Sequence, residues 1–357
     1  MTDEPTYCIA LPLDVDLLIT EKAVGLTFSI EIDEWSGLLH LPECDGGAGS
    51  PLDPPAGFEA ATVDWGTWST YSADGQSGQM QVGAVGLTFP GIETAPTDWN
   101  IEEGYVRGFE RLEQGVAAWL ARFTEWGQVV VRQSLGLLDP SPHLISPTSA
   151  NARKWLVIGE KRSWIDSSPA QFVITTESHL SAVSERPADP ASLTRIIRLA
   201  NDALPGPSAV TLLSAARLAA QRGRFRHALM ELGTALEATI TDVLQPTRSM
   251  TLGNLAPWAR ARGMAIPADI HATFVVPRNA AVHHGVSPTP STVMDGLDLL
   301  DSLIAQHYPD YACDMGLPLG FRTWRRDLVI TTPPVDLREE RAPRQGFWRR
   351  CVESFRR

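Results

Sequence analysis

The sequence predicts an α+β protein in which a β-rich N-terminal domain with one long helix precedes an all-α, antiparallel helical bundle. Three observations carry that prediction. Apolar and polar residues alternate in the first hundred positions, apolar residues recur every three or four positions from residue 102, and helical periodicity holds through successive segments after residue 190.

The strand pattern is clearest at Leu26-Thr27-Phe28-Ser29-Ile30-Glu31-Ile32 and again over 79–89. Glycine and proline clusters punctuate these runs, and 44–55 reads as a loop because its Asp-Gly-Gly and Asp-Pro-Pro stretches leave no face to bury. The hexamer Ala-Val-Gly-Leu-Thr-Phe occurs at 23–28 and at 84–89. The flanks of the two copies do not align, so the repeat supports strand structure more than duplication.

Over 102–130 the stripe Tyr105, Phe109, Leu112, Val116, Trp119 and Phe123 describes one face of a helix packed on the sheet. Strands are expected again around Trp155-Leu156-Val157-Ile158 and Phe172-Val173-Ile174-Thr175. The tryptophans of this half read as core and loop anchors rather than an aromatic cage, since its acidic part has no basic residues interleaved with them. The domain is expected to span 1–186 and to end in the linker Glu185-Arg186-Pro187-Ala188-Asp189-Pro190.

A helix over 190–204 stops at Pro205-Gly206-Pro207, and Ser208 is placed to cap the next one, which ends at Gly223. The strongest stripe follows: Phe225, Leu229, Leu232, Leu236, Ile240 and Val243, with Ala228, Ala235 and Thr239 beside them. Thr251 is expected to cap a shorter helix ending at Gly263; 269–284 is helical but contains Pro277; and Val293, Leu297, Leu300 and Ile304 mark the last helix. Short connections favour antiparallel neighbours in a bundle over 190–311. Beyond Tyr311 the periodicity fades, and residues 312–357 read as an Arg-rich extension, either solvated or serving as an RNA clamp.

With 357 residues, 43% of them hydrophobic, the chain has room for two cores. It shows no secretory leader and no apolar run near the roughly 20 residues a membrane span needs, so a soluble, cytoplasmic protein without membrane association is expected. Cys8, Cys44, Cys313 and Cys351 are scattered singly and are expected as free thiols. The net charge is −12 but unevenly spread, because residues 1–106 hold 18 Asp and Glu against the single base Lys22. Over 187–357 there are 20 Lys and Arg against 16 Asp and Glu, so phosphate repulsion assigns any RNA to the second half. Phosphate-binding glycine loops, serine elbows and zinc motifs are missing, and no cofactor or metal is expected.

One constellation remains: Pro277-Arg278-Asn279-Ala280-Ala281-Val282-His283-His284-Gly285. Asn279 and His283, four residues apart, share a helix face, and Arg278 stands about 100° round with a side chain long enough to reach it. Ala280 and Ala281 keep the surface low, and Pro277 is suited to restart a helix, which would set Arg278 near an anion-attracting N-terminus. This Arg-Asn-x-x-x-His run resembles the signature of the HEPN superfamily (higher eukaryotes and prokaryotes nucleotide-binding). The similarity extends over 208–311, taking in Glu237 within Ala-Leu-Glu-Ala and the Gly263 turn before Ile266-Pro267.

The resemblance implies a metal-independent endoribonuclease whose bundles form a homodimer around one cleft and leave 2′,3′-cyclic phosphate ends. In this superfamily such bundles occur in prokaryotic defence and toxin systems. On that reading His283 moves a proton, Arg278 stabilises the phosphorane and Asn279 orients His283. Glu237 is either a supporting catalytic group or an ion-pair partner of Arg278, and His284 either a second base or an exposed neighbour. The alternative is a non-catalytic dimerisation or nucleotide-binding scaffold whose acidic N-terminal domain binds a protein partner.

Overall fold

The computed structural model describes residues 5–46, 49–61, 63–69, 78–91, 101–133, 153–158, 161–164, 171–182, 185–202, 206–314 and 321–331. Its first half is an antiparallel sheet built from β1 (Thr6–Thr20), β2 (Thr27–Ile32), β3 (Trp35–His40), β4 (Gly66–Ser69), β5 (Gln79–Pro90), β6 (Arg153–Ile158) and β7 (Lys161–Trp164). The order is β2-β3-β5-β1-β6-β7, with β4 also paired to β5. β1 and β5 occupy the centre because both are apolar on both faces, as a strand covered on each side must be.

The two hexamer copies fold differently. Residues 84–89 lie wholly within β5, whereas in 23–28 Gly25 takes a φ of 67° in a turn and only Thr27 and Phe28 enter β2. Neighbouring residues decide the outcome, and duplication is not needed to explain the repeat.

The long helix α1 (Ile101–Val131) crosses the sheet as its stripe requires, with Trp119 and Phe123 stacked and buried. Gly115 lets it settle on β2, since a Cβ there would stand 2.7 Å from Ile32 Cγ2. Its end is a tight stop: Arg132 takes φ 60° and the Gln133 N–H donates to Gly127 O. The buried Gln133 side chain then accepts from Leu18 N–H and donates to Leu18 O and Arg186 O.

That last bond bears on the segment with the composition of a linker. Glu185, Arg186 and Ala188 are buried, and Ala188 bridges to β1 by exchanging backbone hydrogen bonds with Leu18 and Thr20. Its prolines and charges signal irregular backbone, but β1 supplies the partners that let it run inside.

α2 (Pro190–Asn201) follows directly, capped by Asp189, which accepts from Ser192 N–H at 2.8 Å. It packs on α1 and β2, tied by Trp119 Nε1–H to Asn201 Oδ1 and Arg122 Nε–H to Ala200 O. The remaining helices are α3 (Ser208–Gln221), α4 (Phe225–Leu244), α5 (Leu252–Arg260), a π-helical turn (His271–Val275), α6 (Val276–His284) and α7 (Pro290–His307). Ser208 enters α3 as its first residue rather than capping it. α4 is the hub, touching α3, α5, α6 and α7, and its Leu229, Leu232, Leu236 and Ile240 are fully buried.

One further strand has no counterpart in the sequence pattern. Residues 321–331 form β9 (Phe321–Thr331), paired antiparallel with β8 (Gln171–Ala182), so part of the C-terminal extension is a strand. Arg325 and Arg326 break the alternation there, which hid it. The Arg-rich 338–357 tail and Cys351 lie outside the described residues, whereas Cys8, Cys44 and Cys313 are free thiols. Among the described residues no helix is long and apolar enough to cross a membrane.

One buried cluster runs from the sheet through the helices, and at its polar centre sits Asp301 of α7. Its carboxylate takes Arg132, at 2.5 Å, and Arg217 of α3. Arg217 also donates to the carbonyls of Gln128 and Val129 near the end of α1, where a cation suits the helix dipole. Burial works against the charge on Arg132, yet Asp301 and Cys313 together outweigh it and hold its pKa above the ordinary value. Removing one partner of such a cluster strands the others, so Asp301→Ala is expected to lose about 3–5 kcal/mol of stability. Urea unfolding would check this, and a loss under about 1 kcal/mol would show the cluster to be incidental.

Candidate functional site

The motif lies on α6, but the helix does not restart at Pro277. The π-helical turn runs straight into it, with Val276 N–H donating to His271 O. The wider turn makes room for the Pro277 ring within one continuous rod, as π turns do at interruptions. Arg278 therefore does not stand at an open helix start, and its position has to be explained by side-chain packing. α6 ends at Gly285, whose φ of 68° closes the helix as a left-handed cap.

α4 and α6 run antiparallel along one seam. At one end Arg226 Nε–H of α4 donates to Ala281 O at 2.8 Å; at the other, Glu237 Oε1 lies 3.9 Å from Arg278 Nη2. Between them Arg278 lies across Gly233, where a Cβ would come within 2.9 Å of Nε and 3.1 Å of Cγ. The glycine clears a slot for the arginine stem in the middle of an otherwise apolar helix.

The guanidinium is held loosely. Nη1–H donates to Asn279 Oδ1 at 3.3 Å, the Glu237 approach is longer than a hydrogen bond, and Nε is buried without a partner. Such a group has N–H donors to spare for an incoming anion. Asn279 is exposed and spends its carbonyl on Arg278; no hydrogen bond joins it to His283. His283 and His284 are both exposed, their rings 6.5 Å apart edge to face. Among the described residues neither ring nitrogen of His283 has a hydrogen-bond partner, which leaves both open to proton exchange with a bound molecule.

Val276, Asn279, Ala280 and His283 share one face at helical spacing, and Val276 is half exposed. Glu237 is an ion-pair partner of Arg278, and His284 is an exposed neighbour of His283. A surface hollow of about 210 Å³ opens elsewhere, between the π turn and α7, lined by Asp269, Ile270, Phe274, Asp295 and Leu299 among others. It includes none of the motif residues. Among the described residues no group of three or more His, Cys, Asp or Glu is placed to hold a metal ion.

Comparison with models of known families, with curated proteins and with solved structures returned no match. The geometry of the seam is therefore what bears on function.

Sequence reasoning missed Gly233 and Arg226. A glycine inside a strongly apolar helix costs about 1 kcal/mol against alanine, and that cost was the available signal for Gly233. Gly233→Ala is expected to keep the fold within about 1 kcal/mol in urea unfolding, as gained helix propensity offsets crowding. The same change should displace Arg278, seen as a shift of its Nε–H resonance. An unmoved resonance would show that the arginine does not depend on the slot.

Proposed function

We propose that this chain is a metal-independent endoribonuclease of the HEPN type. The observation that carries the reading is the accessible array on α6: a guanidinium with unused donors, bonded to Asn279, beside an exposed imidazole one turn further on. The 2′-hydroxyl of a ribose gives up its proton and attacks the adjacent phosphorus, and the bond to the 5′-oxygen of the next nucleotide breaks. A 2′,3′-cyclic phosphate and a 5′-hydroxyl result. His283 exchanges the proton, Arg278 forks onto the equatorial oxygens as charge builds, and Asn279 orients Arg278. Glu237 limits the swing of that arginine rather than acting on the substrate.

A single imidazole handles one proton at a time, so a second copy facing the first completes the acid and base pair. The half-exposed Val276 and the small Ala280 support docking of two bundles on this face. The acidic sheet half is then a sensing or regulatory module, with a protein as its partner. The scaffold alternative draws on one specific observation, the packing of Arg278 over Gly233, which a purely structural arginine would also show.

The test is cleavage of end-labelled RNA in EDTA. Wild type is expected to release cyclic-phosphate ends, while His283→Ala and Arg278→Ala fall by about 100-fold or more, the scale of a missing acid–base group or phosphate clamp. Parental rates in either variant, or no cleavage by wild type, would leave the scaffold.

A further inference from the structure

Next to the motif lies a basic turn that the catalytic reading does not use. Between α3 and α4 the chain runs Gln221-Arg222-Gly223-Arg224-Phe225-Arg226-His227, with Gly223 at φ 68° reversing its direction. Arg224 and Arg226 are exposed, and among the described residues neither forms an ion pair. Among the same residues Arg224 makes no side-chain hydrogen bond, and Arg226 spends only Nε–H, on Ala281 O. Four Nη–H donors of Arg226 remain, held in a fixed direction by that bond and lying 3.9 Å from where a Gly285 side chain would begin.

This turn and the motif lie on one track. Arg226 precedes Gly233 by seven residues on α4, so the Arg226 position and the slot that holds the Arg278 stem sit about two turns, roughly 10 Å, apart along the seam. Segment 276–285 of α6 contains no carboxylate, and in the first two turns of α4 the sole one, Glu231, pairs with His227 at 3.5 Å. Over 206–290 the chain holds eight Arg against four Asp and Glu, although the net charge of the whole protein is −12. Arg224 and Arg226, exposed and without an ion pair among the described residues, present charge that a bound anion would neutralise.

We propose that Arg224 and Arg226 form a phosphate-docking subsite for single-stranded RNA, holding backbone phosphates that flank the one over Arg278. The inference rests on the ribonuclease reading for the identity of the strand. Single-stranded rather than duplex RNA fits because the track spans about two helical turns, whereas duplex readers bridge successive grooves over about 16 base pairs. Phosphate rather than base recognition fits because the one aromatic residue between them, Phe225, is packed against the core, which leaves the exposed guanidiniums to grip charge and not sequence.

The test is equilibrium binding of a labelled 12-nucleotide 2′-O-methyl RNA, which cannot be cleaved, to the full chain across a salt series. Arg224→Ala and Arg224→Ala/Arg226→Gln are compared with wild type, and thermal unfolding checks that both fold. The logarithmic salt slope is expected to shrink by about 0.7 for each phosphate that is no longer neutralised, with affinity falling about tenfold in the double variant. The single variant keeps the Arg226 cap on α6 and so remains informative if the double one is unstable. An unchanged slope in Arg224→Ala overturns the subsite while leaving cleavage by wild type untouched. Weakened binding in the variants with no cleavage by wild type supports the subsite and removes the nuclease. Equal competition by polyglutamate at matched charge also overturns it, since the surface would then fit an acidic protein rather than a phosphate strand.

Discussion

The arrangement of the molecule depends on one carboxylate. Asp301 carries the negative charge between Arg132, just past the end of α1, and Arg217 on α3, and it does so from α7. Three segments far apart in sequence thereby share one polar centre inside a continuous apolar cluster. Asp298 also comes within 3.9 Å of Arg132, and the Gln128 and Val129 carbonyls accept from Arg217. An ionic centre of this kind adds little net stability over an apolar packing of the same volume, but it tolerates few alternative registers because each misplacement strands a charge. The sheet half and the helices around α4 are fixed to one another by that intolerance.

From this frame the motif helix inherits its position through α4. The slot at Gly233 and the Arg226 cap are two turns apart on the same face of α4, so one rigid helix sets both the stem of Arg278 and the end of the helix bearing His283. The arrangement carries a local cost. An Nε–H buried without an acceptor forgoes roughly 1–3 kcal/mol of desolvation, which a purely structural arginine would recover by moving closer to Glu237.

Much of this architecture was legible in the sequence. The switch of period at residue 102, the α4 stripe and the Asp189-Pro190 helix start are local signals, and local signals survive without knowledge of the fold. β9 was not legible, because its pairing with β8 lies about 150 residues away and Arg325 and Arg326 mask its alternation. The buried 185–188 segment was misleading for a related reason: prolines and charges mark irregular backbone, and only Gln133 and β1 reveal that the irregular backbone is inside. At the site, the spacing of Arg278, Asn279 and His283 was visible, whereas the bond from Arg278 to Asn279 and the continuous helix through Pro277 required the π turn, which no residue pattern announces.

Charge distribution links the two halves in a way that hydrogen bonds do not. Residues 1–106 carry 18 acidic residues and one lysine, a surface that repels a polyanion, while the arginines of the α3–α4 turn attract one. At physiological salt such fields fade over about 8 Å, so the acidic half acts on a strand only where the strand approaches it closely. On the proposed reading, a chain of phosphates entering along the α4–α6 seam is guided by the local arginines.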